Sequence, residues 1–78
     1  MDRAILEAHL IQAERHVADG HRHVERQRKI VGEAVGEDAE RSIGLLRELE
    51  AMQRMHEAHR ESIRQMLART PIWIRRRP

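Results

Sequence analysis

Seventy-eight residues make one domain at most and leave little interior in which to hide an active site. Charged residues supply 36% of the chain and aromatics 1%, so any core must be built from Leu, Ile, Val, Met and Ala, the residues of helix packing. There is no cysteine, which excludes disulfides and thiolate metal sites, and the net charge of +2 contains +3 from Arg75, Arg76 and Arg77 alone, so the high isoelectric point describes no single basic face.

Apolar runs such as Ile5-Leu6 and Leu10-Ile11 are far too short for a bilayer, and the N-terminus lacks a basic segment followed by an apolar core. A cytoplasmic location is the expectation. Between Met1 and Thr70 there is no proline, and the interior is rich in Ala, Glu, Arg, Leu and Gln, so helix is the reading throughout. Asp2 is placed to cap the first helix.

In the first half, Leu10, Val17, Val24 and Val31 recur every seven residues, with Leu6, Ala13, Gly20, Gln27 and Ala34 interleaved at steps of three and four. That spacing is a coiled-coil seam. One of its rows is mostly small, which lets a neighbouring helix approach closely at Gly20, or else Gly20 is merely tolerated.

The break between halves is written locally. Gly32 and Gly36 bracket a short stretch, Gly36 is suited to the left-handed position that ends a helix, and Asp38 to capping the next one. Glu37, Asp38 and Glu40 then fall at the positive end of the second helix dipole. The predicted domain is 1–70, with helix 1 at about 3–35, a turn at 36–38 and helix 2 at about 39–69.

In the second half, Leu45, Leu49, Met52, His56, His59, Ile63 and Met66 alternate steps of four and three. Its partner row lies on the other side of the seven-residue row, so one straight helix would carry a stripe that jumps sideways between Ala34 and Leu45. Two helices folded as an antiparallel hairpin explain the pattern better. Ile5, Ile11 and Ile30, with Ile43, Leu46, Met55 and Leu67, are left as apolar flanks, of which Ile43, Leu46 and Met55 are candidate contact residues. A two-helix hairpin alone buries too little to offset chain entropy of roughly 1.5 kcal/mol per ordered residue. The predicted fold class is therefore all-α, a coiled-coil-like hairpin that dimerises into a four-helix bundle.

Pro71 stops the helix near Arg69 and restricts Thr70. Residues 71–78 form a tail in which Ile72, Trp73 and Ile74 precede Arg75, Arg76 and Arg77. Trp73 and the three arginines are candidates for contact with anionic lipid or nucleic-acid phosphates; the alternative is that the apolar residues cover the open end of the bundle.

Six histidines are the most unusual feature. His9, His16 and His23 lie along one line of helix 1, beside the valine row. Antiparallel pairing about Gly36 and Glu37 brings the level of His56 and His59 to Glu14, His16 and Val17. His16, His56 and His59 are thus candidate ligands for Zn²⁺ or another divalent metal. The spacing His56-Glu57-Ala58-His59 is one residue short of the His-Glu-x-x-His metalloprotease pattern, and no Glu-x-x-His pair of the di-iron type is present. The alternatives are polar seam residues that set register, or a pH-sensing cluster whose sign depends on whether the imidazoles are held neutral or paired with Glu14 or Glu57.

Other charges read as a solvated face: Glu37 with Arg41 and Glu50 with Arg54 are favourable pairs at four-residue spacing, and mixed signs leave no basic stripe for a DNA groove. Ser42 and Ser62 lack a strained turn or a positioned base, and Gly32 to Gly36 lacks the ending of a phosphate loop, so no catalysis is expected.

The stretch Ala13-Glu14-Arg15-His16-Val17-Ala18-Asp19-Gly20-His21-Arg22-His23-Val24-Glu25-Arg26-Gln27-Arg28 resembles the opening of short uncharacterised helical proteins from soil alphaproteobacteria. Leu45 to Arg60, with His56-Glu57-Ala58, is similar to their second half; the turn here is shorter and the Trp73 tail departs. The resemblance implies an intracellular bacterial helical protein and carries no activity or ligand. The expectation is a non-catalytic interaction or regulatory module, a homodimer that also binds a protein partner of unknown identity.

Overall fold

The computed structural model describes residues 2–70, so the tail residues Trp73, Arg75, Arg76 and Arg77 lie outside the described part. Two helices account for nearly all of it: α1, Arg3–Glu33, and α2, Glu37–Ala68. They pack against each other as an antiparallel hairpin. At 1.5 Å per residue each is roughly 47 Å long.

Both ends of α1 differ in detail from the expectation. Asp2 occupies the N-cap position in extended backbone, and its carbonyl accepts from the Leu6 amide at 3.1 Å, but its side chain makes no capping hydrogen bond. α1 stops at Glu33, two residues early, because Ala34 leaves helical geometry at φ −76° and ψ 149°. Its amide still closes the last turn on the Ile30 carbonyl at 2.9 Å.

Gly36 makes the reversal, at φ 64° and ψ −138°. That combination lies in a quadrant essentially reserved for glycine, since a Cβ there meets the flanking carbonyls. Gly36 itself, and not Asp38, is the N-cap of α2: its carbonyl accepts from Ala39 at 3.1 Å, and Asp38 sits inside the first turn paired with Arg41 at 2.8 Å. Glu37, Asp38 and Glu40 do line that first turn, where the helix dipole favours them.

The α1 seam is as expected. Leu6, Ala13, Val17, Val24 and Gln27 are buried, and Leu10, Gly20, Val31 and Ala34 are half-buried between them. On α2 only one of the two expected rows turns inward. Leu49, His56 and Ile63 face α1, with Ile63 the most completely enclosed side chain at 1% exposure. The second inward row is Ala39, Leu46, Gln53, Arg60 and Leu67; the expected row of Leu45, Met52, His59 and Met66 is exposed. Leu46 and Leu67 thus belong to the seam and not to the flank.

Residue size and polarity explain the choice. Gln53 lies directly over Gly20, so close that a Cβ on that glycine would fall 1.7 Å from Gln53 Oε1. Its Nε2 donates to the Val17 carbonyl at 2.9 Å, fully buried. Gln27 makes the reciprocal contact, donating from Nε2 to the Ser42 carbonyl at 2.9 Å. Each helix therefore sends one buried amide into the backbone of the other, and the two bonds fix rotation and register in a way that methionines cannot. At the open end, Arg3 donates to the carbonyls of Leu67 at 3.2 Å and Thr70 at 2.7 Å, capping the negative end of α2 with a cation from α1.

Candidate functional site

The two sides of the hairpin differ in chemistry, and the difference follows from which residues flank the seam. Helical spacing puts Glu7, Glu14, His21 and Arg28 of α1 beside Ile43, Glu50, Glu57 and Arg64 of α2 on one side. Here Arg28 pairs with Glu50 and Arg64 with Glu14 across the helices, each at 3.4 Å and largely solvated. Such exposed pairs contribute little to stability and help orient the helices. The predicted pairing of Glu50 with Arg54 gives way to this cross-helix contact.

On the opposite side, His9, His16, His23 and Ile30 of α1 flank Leu45, Met52, His59 and Met66 of α2. Between His9 and Met66, these two rows carry no fixed charge. The histidine line lies beside the small row of Ala13 and Gly20, because residues three or four apart share a helix face; the valine row is one step further round.

At mid-length this side opens into a hollow lined by His16, Gly20, His23, Leu49, Met52 and His56, with Asp19 at its edge. Gly20 and the Gln53 amide that covers it form part of its wall, and the larger side chains stand around them. His16 and His56 meet across the hollow with ring centroids 5.4 Å apart and planes tilted by 47°. Asp19 is bound to Arg22 on its own helix. A second shallow depression joins Met52, Met55, His56 and His59 along α2.

The predicted level of the histidines is therefore right for one pair only. His16 and His56 come together, whereas His59 is exposed beside Met52 and Met55, and Glu14 is engaged by Arg64 on the other side. Among the described residues no group of three or more His, Asp or Glu side chains is arranged to hold a metal ion, so the set His16, His56 and His59 is not assembled within one chain. Of the expected contact residues, Met55 is 70% exposed next to the uncharged side, Ile43 is 37% exposed on the ion-paired side, and Leu46 is half-buried in the seam.

Sequence reading missed Gln53, the residue that locks α2 onto Gly20. The available signal was its seven-residue spacing from Leu46, Arg60 and Leu67, which a search for apolar residues passes over. No described helix is long and apolar enough to cross a membrane. No protein-family model, curated protein or solved structure matches this chain.

Proposed function

We propose that this chain is a non-catalytic helical interaction module that works as a homodimer, two hairpins packing into a four-helix bundle. What carries the reading is the distribution of large apolar side chains. Leu6, Ala13, Val17, Val24 and Ile63 are the buried hydrophobics, while Ile5, Ile11, Ile30, Val35, Ile43, Leu45, Met52, Met55 and Met66 stay exposed.

The seam itself is diluted by polar groups. Gln27, Ser42, Gln53, His56 and Arg60 occupy inward positions, and Gln53 Oε1 and Arg60 Nε are buried without a hydrogen-bond partner. An interior that small and that polar does not offset the entropy of ordering two long helices, so burial of the remaining apolar surface against another chain is the economical completion.

A non-catalytic role fits the same geometry. Ser42 is half-buried in the seam, with its carbonyl accepting from Gln27, and Ser62 is exposed on the surface of α2. The hollow around His16 and His56 is an open groove on a two-helix surface, which neither encloses a substrate nor excludes water. Sedimentation equilibrium of the full chain at micromolar concentration tests the reading: a dimer mass is expected, and a stable, fully helical monomer overturns it.

A further inference from the structure

The uncharged side of the hairpin has features that single out its occupant. On α2 the residues Leu45, Leu49, Met52, His56, His59, Ile63 and Met66 form a complete second seam at alternating steps of four and three. Its Leu49, His56 and Ile63 row is shared with the hairpin interior, while Leu45, Met52 and Met66 are 47%, 52% and 40% exposed. α1 carries the matching second seam in Leu6, His9, Ala13, His16, Gly20, His23, Gln27 and Ile30. Helices with three adjacent inward rows are those of a four-helix bundle, where each packs against two neighbours.

Charge distinguishes this side from the other. The hollow at Gly20 is lined from both helices, and the shallow depression along Met52, Met55, His56 and His59 beside it leaves Met52 and Met55 52% and 70% exposed. A two-fold axis through this side places the exposed methionines of each copy against the same uncharged side of the other. The ion-paired side carries a hollow too, but its lining includes Glu25, Arg28, Glu50, Arg54 and Glu57, so docking there would have to desolvate those charges together with Glu14 and Arg64.

We infer that a second copy of this chain docks on the His16–Met52 side of the hairpin, and that mild acid separates the copies because docking encloses the imidazoles of His9, His16, His23, His56 and His59. This rests on the dimer reading above and names its face and its control. His16 faces His56, with Asp19 at the rim already bound to Arg22; Leu49, Met52 and Gln53 complete the wall from α2 and bring no carboxylate into the hollow. By helical spacing the flanking charges are Arg26 and Glu33 on α1 and Arg41 and Glu48 on α2, at the periphery of the face. A second copy brings the same groups.

The sign follows from what is buried. Imidazoles kept neutral in the docked state must give up protons to dock, so association is complete above the free-histidine value of about 6.5 and is lost as pH falls through it. Each imidazole held neutral weakens docking by about tenfold between pH 7.5 and 5.5.

The test compares sedimentation equilibrium of the full chain, Met52→Glu and Ile43→Glu at pH 7.5, and the wild-type chain again at pH 5.5. The inference expects a dimer for the wild type and Ile43→Glu, a monomer for Met52→Glu, and a dissociation constant raised at least tenfold at pH 5.5. Substituting His16→Gln and His23→Gln together removes two of the five enclosed imidazoles, so the change in the logarithm of the dissociation constant between the two pH values should fall by about two-fifths. A wild-type monomer at pH 7.5 overturns the dimer reading itself. A dimer that survives Met52→Glu overturns this face, and one whose affinity is flat between the two pH values, or keeps its slope in the double glutamine variant, overturns control by these histidines.

Discussion

Gly20→Ala sets two known effects against each other at one atom. In an exposed helix the substitution stabilises by about 0.8–1 kcal/mol, because alanine has less backbone freedom to lose. Here the new methyl group falls 1.7 Å from Gln53 Oε1 and 2.8 Å from its Cδ. The amide must swing aside, which breaks the buried bond from Nε2 to the Val17 carbonyl, or the helices must separate. Losing that bond costs about 1 kcal/mol, and leaving the amide buried without partners or forcing the helices apart adds about 1–3 kcal/mol. The clash exceeds the propensity gain, and Gly20→Ala is expected to destabilise by about 1–3 kcal/mol in urea melts at fixed protein concentration. In a Gln53→Ala background the obstruction is gone and the same glycine change should stabilise by about 1 kcal/mol. This reversal of sign is the diagnostic result. Stabilisation by Gly20→Ala in the wild-type background would refute the reasoning, because it would mean that Gln53 leaves its site at negligible cost.

Two further substitutions separate the interior from the ends. Ile63→Ala, at the most enclosed side chain of α2, should cost about 2–5 kcal/mol in the same melts, set by the cavity it leaves. Arg3→Ala removes the donor to the Leu67 and Thr70 carbonyls, so amide exchange should accelerate selectively in the last turn of α2 while the middle of both helices stays protected.

Most of the fold was legible because helix formers, spacing and two glycines all point the same way. The α1 seam, the reversal at Gly36 and the meeting of His16 with His56 follow from periodicity and an antiparallel count. The inward face of α2 was not legible, for a physical reason. The row of Leu49, His56 and Ile63 has a plausible companion on either side, Leu45–Met52–Met66 or Leu46–Gln53–Leu67, and hydrophobicity favours the first. The choice is made by Gln53, which reaches a backbone carbonyl across Gly20, and by Gln27, which does the same at Ser42. Such side-chain-to-backbone bonds have no periodic signature. The three-histidine site failed for the same reason: with α2 rotated to seat Gln53, His59 turns outward while His56 stays.

That rotation also bears on whether the chain must double back at all. The row Leu10, Val17, Val24 and Val31 runs in phase with Leu45, Met52, His59 and Met66, so along a straightened helix one row would continue through both halves, with Asp38 between Val31 and Leu45. Two straightened chains side by side could rebuild both hairpins by exchange, and Gly36 is the residue that decides against it. Gly36→Ala would place a Cβ at φ 64° and ψ −138°, costing about 1–3 kcal/mol in the hairpin. In a continuous helix the same change gains about 0.8–1 kcal/mol. Together these move the equilibrium toward the straightened form by about 2–4 kcal/mol, roughly 30- to 1000-fold. Spin labels at Leu10 and Met66 of one chain, diluted with unlabelled protein, read the outcome directly. Wild type should give a short separation, and Gly36→Ala a second population approaching the ~84 Å between those positions along a straight helix. If Gly36→Ala retains only the short distance with undiminished stability, the glycine conformation is not what holds the turn. A long distance in the wild type would remove the hairpin itself.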